Sequence, residues 1–288
     1  MVKGQYQFVT NQHYAADFVR SMASVASDLD ASGLNLCSVL APHQLQQAGL
    51  SVPLADHLPA SGVYVVVGNG GSGFWDTVRA RHPQLQVLLE ENDRGKIGDP
   101  VDQLSQSLVE TAVEKHLPAA RYELLFPPQS AVSPTVIPLQ QLGRVAGWHQ
   151  PSPLGSGMHP VFGLWFAYRA VVWIDAESVT AESVAGPTES TTEETAAAQS
   201  SDPLSDHCLR CESQACVTAC PASAITLADS PDMSACAGFR LAQDSRCADR
   251  CLAREACPAV ESRAQYPREQ IRYHYRLALH TLRRYYGE

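Results

Sequence analysis

The stretch His207–Pro221 reads HCLRCESQACVTACP, and its four cysteines stand at the spacing C-x2-C-x4-C-x3-C-P. Eight of the nine cysteines of the chain lie between residues 208 and 257. In a reducing compartment, such crowding indicates metal ligands and not structural disulfides. The stretch therefore predicts a small module that folds around a metal centre.

The cysteines fall into two sets of four if they follow the ligand pattern of ferredoxins. Ferredoxin sequences pack three thiolate ligands closely, and the Cys-Pro cysteine that follows ligates the other cluster in two-cluster members. We therefore predict a ferredoxin-like module over 207–262 with one [4Fe–4S] cluster, and a second cluster by the same rule. The first set is Cys208, Cys211, Cys216 and Cys257, and the second set is Cys220, Cys236, Cys247 and Cys251. Zinc also takes four-cysteine sites, but the endings Cys220-Pro221 and Cys257-Pro258 favour iron–sulfur clusters.

Residues 1–175 predict an α+β domain with a core of its own. Apolar residues recur at helical spacing over 11–30, and a second helix is expected from Pro100 towards Leu117. Apolar and aromatic runs predict strands at VYVVV (63–67), YELLF (122–126) and LWFAYRAVVWI (164–174). With 45% hydrophobic residues in a chain of 288, such a core can be buried.

Composition divides the rest of the chain. Residues 176–206 are rich in Ala, Ser, Thr and Glu and nearly free of large apolar side chains, which predicts an acidic low-complexity linker. The cysteine-rich module follows. Residues 263–288 predict a C-terminal helix that begins at Pro267 and packs back on the first domain.

The bulk numbers exclude some classes of function. A net charge of −9 argues against a general nucleic-acid binder, and no apolar run approaches the roughly 20 residues that span a bilayer. The opening residues contain no apolar segment typical of a secretory signal, so we expect a cytoplasmic protein, in a compartment where structural disulfides are rare. The remaining cysteine, Cys37 in LNLCSVL, is expected to be a buried core thiol.

One candidate site is a glycine pattern in the first domain. Gly68, Gly70 and Gly73 fit G-x-G-x-x-G between a predicted strand and a predicted helix, and Glu90 follows about twenty residues on. This layout is typical of a dinucleotide site, and an NAD(P)H or flavin donor beside a cluster makes chemical sense. A flexible strand-to-helix turn is the simpler interpretation, and a lone glycine pattern favours it.

A second candidate segment is HPVFGLWFAYRAVVWI, residues 159–174. On composition alone, His159 is a loop histidine and the aromatic side chains belong to the core. The segment nevertheless resembles the signature of the CblC cobalamin-processing family, which has a closely similar His-Pro-x-Phe-Gly-x-Trp-Phe-Ala-x-Arg sequence. SVPLADHLPASGVYVVV, TVRARHPQLQV and YPREQIRYHYRL resemble other parts of that family, so the resemblance covers most of 30–175 and about 265–280.

The resemblance implies a nitroreductase-like α+β domain that binds a corrinoid. The implied chemistry is removal of the upper ligand of cobalamin, by reductive decyanation or by dealkylation with glutathione. Cobalamin-dependent reductases such as epoxyqueuosine reductase join a similar domain to a two-cluster ferredoxin module, and this chain resembles that arrangement too. The residues assigned to the cobalamin site by resemblance are His159, Phe162, Trp165, Phe166 and Arg169. For Arg169, an orientation towards solvent is the alternative, and no catalytic residue is assigned.

Three functions are open. One is an oxidoreductase that passes electrons from its clusters to a bound corrinoid, with a reductase or ferredoxin as electron donor. Another is an NAD(P)H- or flavin-dependent iron–sulfur oxidoreductase that uses the loop Gly68–Gly73, and the third is a corrinoid chaperone or electron-transfer module without catalysis. The arginines of the last helix form a basic face, either solvated or meeting an acidic electron-transfer partner: Arg268, Arg272, Arg276, Arg283 and Arg284.

Overall fold

The structure is a computed structural model that describes residues 5–8, 14–83, 85, 99–127, 136–176, 206–259 and 265–287. It has α+β architecture, as expected, with a five-stranded sheet followed by a region of short helices and loops that contains eight of the nine cysteines. The strands are β1 Gln5–Phe8, β2 Leu36–Leu40, β3 Val63–Gly70, β4 Tyr122–Phe126 and β5 Phe166–Ile174. The helices are α1 Ala16–Ala31, α2 Pro42–Gln47, α3 Gly73–Arg81, α4 Pro100–His116, α5 Leu139–Val145, α6 Asp206–Leu209, α7 Ala215–Thr218, α8 Met233–Leu241, α9 Leu252–Glu255 and α10 Arg268–Tyr286.

The sheet has the strand order β1-β2-β3-β5-β4. β1 pairs with β2 in parallel, and all other neighbours are antiparallel. All eight residues of β3 are buried, because both faces of the sheet are covered. Alternate residues of a strand point to opposite faces, so Val63, Val65 and Val67 enter one core while Tyr64 and Val66 enter the other.

The long helices confirm the predicted ones within a few residues. α1 buries the predicted apolar face of the segment 11–30, including Phe18 and Met22. α4 begins at Pro100, and the carboxylate of Asp99 caps it by accepting a hydrogen bond of 2.9 Å from the amide of Val101. α10 follows directly on Pro267.

α10 packs against the first domain. Tyr273 of this helix joins the core on one face of the sheet, and its ring centroid lies 5.2 Å from that of Trp75. The predicted linker, 176–206, lies outside the described residues except for its two ends, so the four-part division of the chain stays a prediction. Cys37 is 2% exposed, and its burial raises the pKa of the thiol to about 12, which confirms a core cysteine. No described helix is both long enough and apolar enough to cross a membrane.

Candidate functional site

The cysteines of the C-terminal part lie together in two groups of four. Cys257 is within electrostatic range of the other three members of the first set. Cys236 is likewise within range of the other three members of the second set. Each Cys-Pro cysteine is therefore grouped with the triad of the other sequence cluster, which is the crossed arrangement.

Short helices create this grouping. α6 carries Cys208, α7 carries Cys216, and Cys236 lies on α8. α7 and α9 pack against each other, and this contact brings Cys257, just past the end of α9, to the first set. Cys251 precedes α9 and accepts a hydrogen bond of 3.4 Å on its sulfur from the amide of Arg254.

The first set lines a cleft that it shares with the α+β domain. The cleft is open to solvent and its cavity volume is only about 20 Å³, with Pro153, Leu154 and Met158 on the domain side. None of the nine cysteines, all of which lie in described segments, is part of a disulfide. Burial, and then the charge of Cys208, raises the pKa of Cys216. The thiolates of the set thus repel one another, and a bound cationic centre would offset that repulsion.

Both sets have the donor chemistry of a [4Fe–4S] cluster. Over the described ranges, no three His, Cys, Asp or Glu side chains are arranged to hold a single metal ion. Four cysteines bind a [4Fe–4S] cube through four different irons, so they surround a volume and do not converge on one ion. Eight cysteines in two sets of four therefore have the number and kind of ligands that two [4Fe–4S] clusters require.

Two arginines that the sequence analysis did not single out contact the second set and its surroundings. On α8, the Nε of Arg240 donates to the carbonyl of Cys247 at 3.2 Å. On α9, the guanidinium of Arg254 stacks 4.5 Å above the Trp165 ring and donates to the carbonyl of Leu164. Arg254 therefore fixes the cysteine module to the chain just before β5. In the sequence, the only feature that could have pointed to Arg254 is its position between Cys251 and Cys257.

Trp165 and Phe162 do not line an open cavity, in contrast to the expectation from the resemblance. Trp165 is 1% exposed because Arg254 and Tyr266 cover it, the latter at a ring-centroid distance of 5.5 Å. The Phe162 ring lies over Gly70, where an added Cβ would be 2.2 Å from Cδ2. Phe166 packs edge-on against Tyr168. The aromatic side chains of the motif are thus covered by their own chain.

Arg169 differs from both of its expected orientations. It is 7% exposed, so it does not face solvent. Its Nε donates to Oδ1 of Asn69 at 2.6 Å, and its guanidinium lies 5.6 Å from the Phe74 ring centroid. These contacts bind the arginine inside the domain, because a buried guanidinium needs hydrogen-bond acceptors and aromatic faces in place of water.

His159 retains one polar atom without a partner. Its Nδ1 accepts from the amide of Val161 at 3.0 Å, so the neutral ring carries its proton on Nε2. Nε2 is buried and has no hydrogen-bond partner among the described residues. Burial lowers the pKa of the imidazole to about 4. An acceptor supplied by water or a ligand would satisfy this donor.

The glycine pattern is part of the sheet and not an open phosphate loop. Gly68 and Gly70 lie within β3, and an added Cβ at Gly68 would be 2.7 Å from the carbonyl oxygen of Ala167. Gly73 is the first residue of α3, and Glu90 lies outside the described residues. The two strand glycines permit close packing by β5 and Phe162, so the space expected for a pyrophosphate is filled by protein.

Fold and site together define an α+β domain joined to a module with two crossed cysteine sets. A solved structure to which the chain is similar is the C. elegans B12-trafficking protein CblC, a human MMACHC homologue. The identity is 16%, the match covers 56% of this chain and 70% of that one, and the TM-score is 0.42. A similarity of this size carries no argument about function. No protein-family model matches the chain, and no curated protein matches it.

Proposed function

We propose that this chain is an iron–sulfur oxidoreductase in which the first and second sets each hold a [4Fe–4S] cluster. The proposal rests on one observation, the crossed grouping of eight cysteines in space. A cluster of this kind, when bound, accepts and passes single electrons at a potential that its surroundings tune. In this proposal the cysteine module is ferredoxin-like, and the chain uses it to deliver electrons to the α+β domain.

Contacts between the two parts support delivery in that direction. The first set shares its cleft with Met158, the residue before His159. Close to the second set, Arg254 reaches the Leu164 carbonyl and the Trp165 ring. In the same region, an added Cβ at Gly155 would be 2.9 Å from Cγ of Pro231, so the loop lies directly on the cysteine module. These contacts hold the cysteine module against the domain.

The test is the metal content of protein purified without oxygen. We expect about eight irons and eight acid-labile sulfides per chain. Cys211→Ala should lose about half of both, since it removes one ligand of the first set, whereas Cys37→Ala should lose none. Zinc without sulfide, or iron unaffected by Cys211→Ala, would contradict the proposal.

A corrinoid is the second candidate, as the molecule that the domain binds and that receives the electrons. The HPVFGLWFAYR motif and the unpartnered Nε2 of His159 favour it. Phe162, Trp165, Phe166 and Arg169 do not fit the wall of a corrinoid cavity, because protein side chains and backbone cover them. The nitroreductase-like assignment of the domain stays a proposal.

Titration with hydroxocobalamin tests the second candidate separately. A corrinoid-binding protein should shift the visible corrin bands at stoichiometric concentration, and His159→Ala should weaken the shift. An unchanged spectrum would discard the corrinoid and leave the cluster proposal intact. The outside electron donor, whether a reductase or a ferredoxin, and the cytoplasmic location are predictions that such a titration does not address.

A further inference from the structure

A fixed positive charge, that of Arg240, lies beside the second cysteine set. Arg240 stands four residues after Cys236 on α8, and residues at this spacing lie on the same face of a helix. The charges that act on Cys216 and Cys257 of the first set come from cysteines of that set. Arg240 also acts on Cys247, so a cation touches two members of the second set.

Arg240 is held in place by three contacts. Its Nε donates to the carbonyl of Cys247 at 3.2 Å, and its Nη2 donates to the carbonyl of Tyr275 at 2.8 Å. Its guanidinium lies 4.8 Å from the centroid of the Tyr275 ring. Because α8, the Cys247 segment and α10 all fix it, the positive charge stays beside the second set. A guanidinium does not lose its proton in proteins.

We propose that Arg240 gives the cluster bound by the second set a higher reduction potential than the one bound by the first, so that a shared electron resides at the second set. This inference rests on the proposed function, and it makes Arg240 a positioning residue that acts through the charge it places there.

The physical reason is the charge of the reduced state. Reduction adds one negative charge to a cluster that its thiolates already make anionic, and a cation in contact stabilises that added charge. Cys247 is 7% exposed, and burial alone would disfavour the more negative state. The same low-dielectric surroundings strengthen the attraction of Arg240, which offsets part of the cost of burial at Cys236 and Cys247.

The electron balance of the step is simple. With clusters held by both sets, one electron would pass from the first set's cluster to the second set's, which would leave the former oxidised by one unit and the latter reduced by one unit. No proton moves and no bond forms or breaks. A one-electron donor supplies the first set, and the open cleft at Cys208, Cys211 and Cys216 gives such a donor access.

A redox titration followed by electron paramagnetic resonance tests the proposal on the intact, anaerobically purified protein, with dithionite as reductant. Two reduction steps are expected. Arg240→Gln should lower the upper potential and leave the lower one unchanged, and Arg240→Lys should restore most of the shift because it keeps the charge. Arg283→Gln, which removes the same charge from an exposed position of α10, should change neither.

A second variant, Ser213→Ala, identifies which of the two potentials belongs to the cluster of the first set. The Oγ of Ser213 lies 3.5 Å from Sγ of Cys211, and this contact is the main cause of the lowered pKa of Cys211. Hydrogen bonds to cluster sulfurs raise the reduction potential, so Ser213→Ala should lower only the lower of the two potentials. This assignment does not depend on whether Arg240→Gln folds.

Three outcomes would overturn the inference. In the first, Arg240→Gln shifts the lower reduction potential or leaves both potentials unchanged. In the second, Arg240→Gln and Arg240→Lys shift the upper potential equally, and in the third, Ser213→Ala shifts the upper potential. Metal analysis of the same samples separates this failure from failure of the proposed function. If iron and sulfide are each about eight per chain but the first set's cluster has the higher potential, only the role of Arg240 is rejected.

Discussion

The aromatic segment 159–174 and the cysteine segment 207–257 differ in where their conspicuous side chains point. The four cysteines of the first set line an open cleft, and Cys236 of the second set is within electrostatic range of the other three members of its set. The aromatic side chains face the protein, and Trp165 is covered by Arg254. A dense ligand pattern therefore points to a site more reliably than a dense aromatic pattern, because aromatic side chains serve the core equally well.

Among the variants that test this difference between the two segments, Trp165→Ala should have the largest effect, and that effect is on stability. Trp165→Ala should lower the free energy of unfolding by about 3–5 kcal/mol, since it empties a closed space beneath Arg254 and Tyr266. Anaerobic urea unfolding followed by circular dichroism measures it. Val161→Ala, at a position 37% exposed in the same segment, is the control and should cost under about 0.5 kcal/mol. A small loss at Trp165 combined with weaker hydroxocobalamin binding would restore the cavity interpretation.

A smaller effect is expected at the glycine pattern. Gly70→Ala should cost roughly 1–3 kcal/mol, because the new Cβ meets the Phe162 ring. Gly73→Ala should be nearly neutral, since the nearest atom to its added Cβ is Cα of Gly33 at 3.8 Å. Thermal unfolding of the two variants measures the difference. A dinucleotide site would instead show both variants equally stable, with NADH binding lost in each.

The smallest predicted effect is a pH dependence at His159. Burial holds the pKa of this imidazole at about 4 in the folded protein, against roughly 6.5 when unfolded. Between these values only the unfolded state binds the proton, so stability falls as the pH falls from about 6.5 to 4. His159→Asn should remove roughly 0.7 kcal/mol of the loss between pH 7 and pH 6.

Unfolding at pH 7 and pH 6 provides the check on His159. His43→Asn, at an exposed position, is the matched control for replacing a histidine by asparagine. An identical pH dependence in wild type and His159→Asn would show that the imidazole has the same pKa in the folded and unfolded protein, and would contradict the lowered pKa of His159.

The sequence predicted those parts of the molecule that depend on local spacing. α1, α4 and α10, and the strands at 63–67 and 122–126, follow from periodicity and caps, and the cysteine sets follow from ligand spacing. These signals act over a few residues, or over the short separation between the two cysteine clusters.

The sequence could not predict the contacts between distant segments, either within the α+β domain or between that domain and the cysteine module. Arg254 and Leu164 are ninety residues apart in the chain, and no periodicity links them. Gly70 and Phe162 likewise meet only because β3 pairs with β5. The sequence therefore left a dinucleotide site open as the less favoured interpretation of the glycine pattern, and the pairing of β3 with β5 fills the space that it would need.

The crossed grouping of the cysteines is the central claim, and four single variants test it most directly. Each variant is reduced with dithionite, and its electron paramagnetic resonance spectrum is recorded. The account predicts that Cys257→Ala removes the same cluster signal as Cys211→Ala, and that Cys220→Ala removes the same signal as Cys236→Ala. Loss of the Cys236 signal in Cys257→Ala, with the Cys211 signal intact, would contradict it.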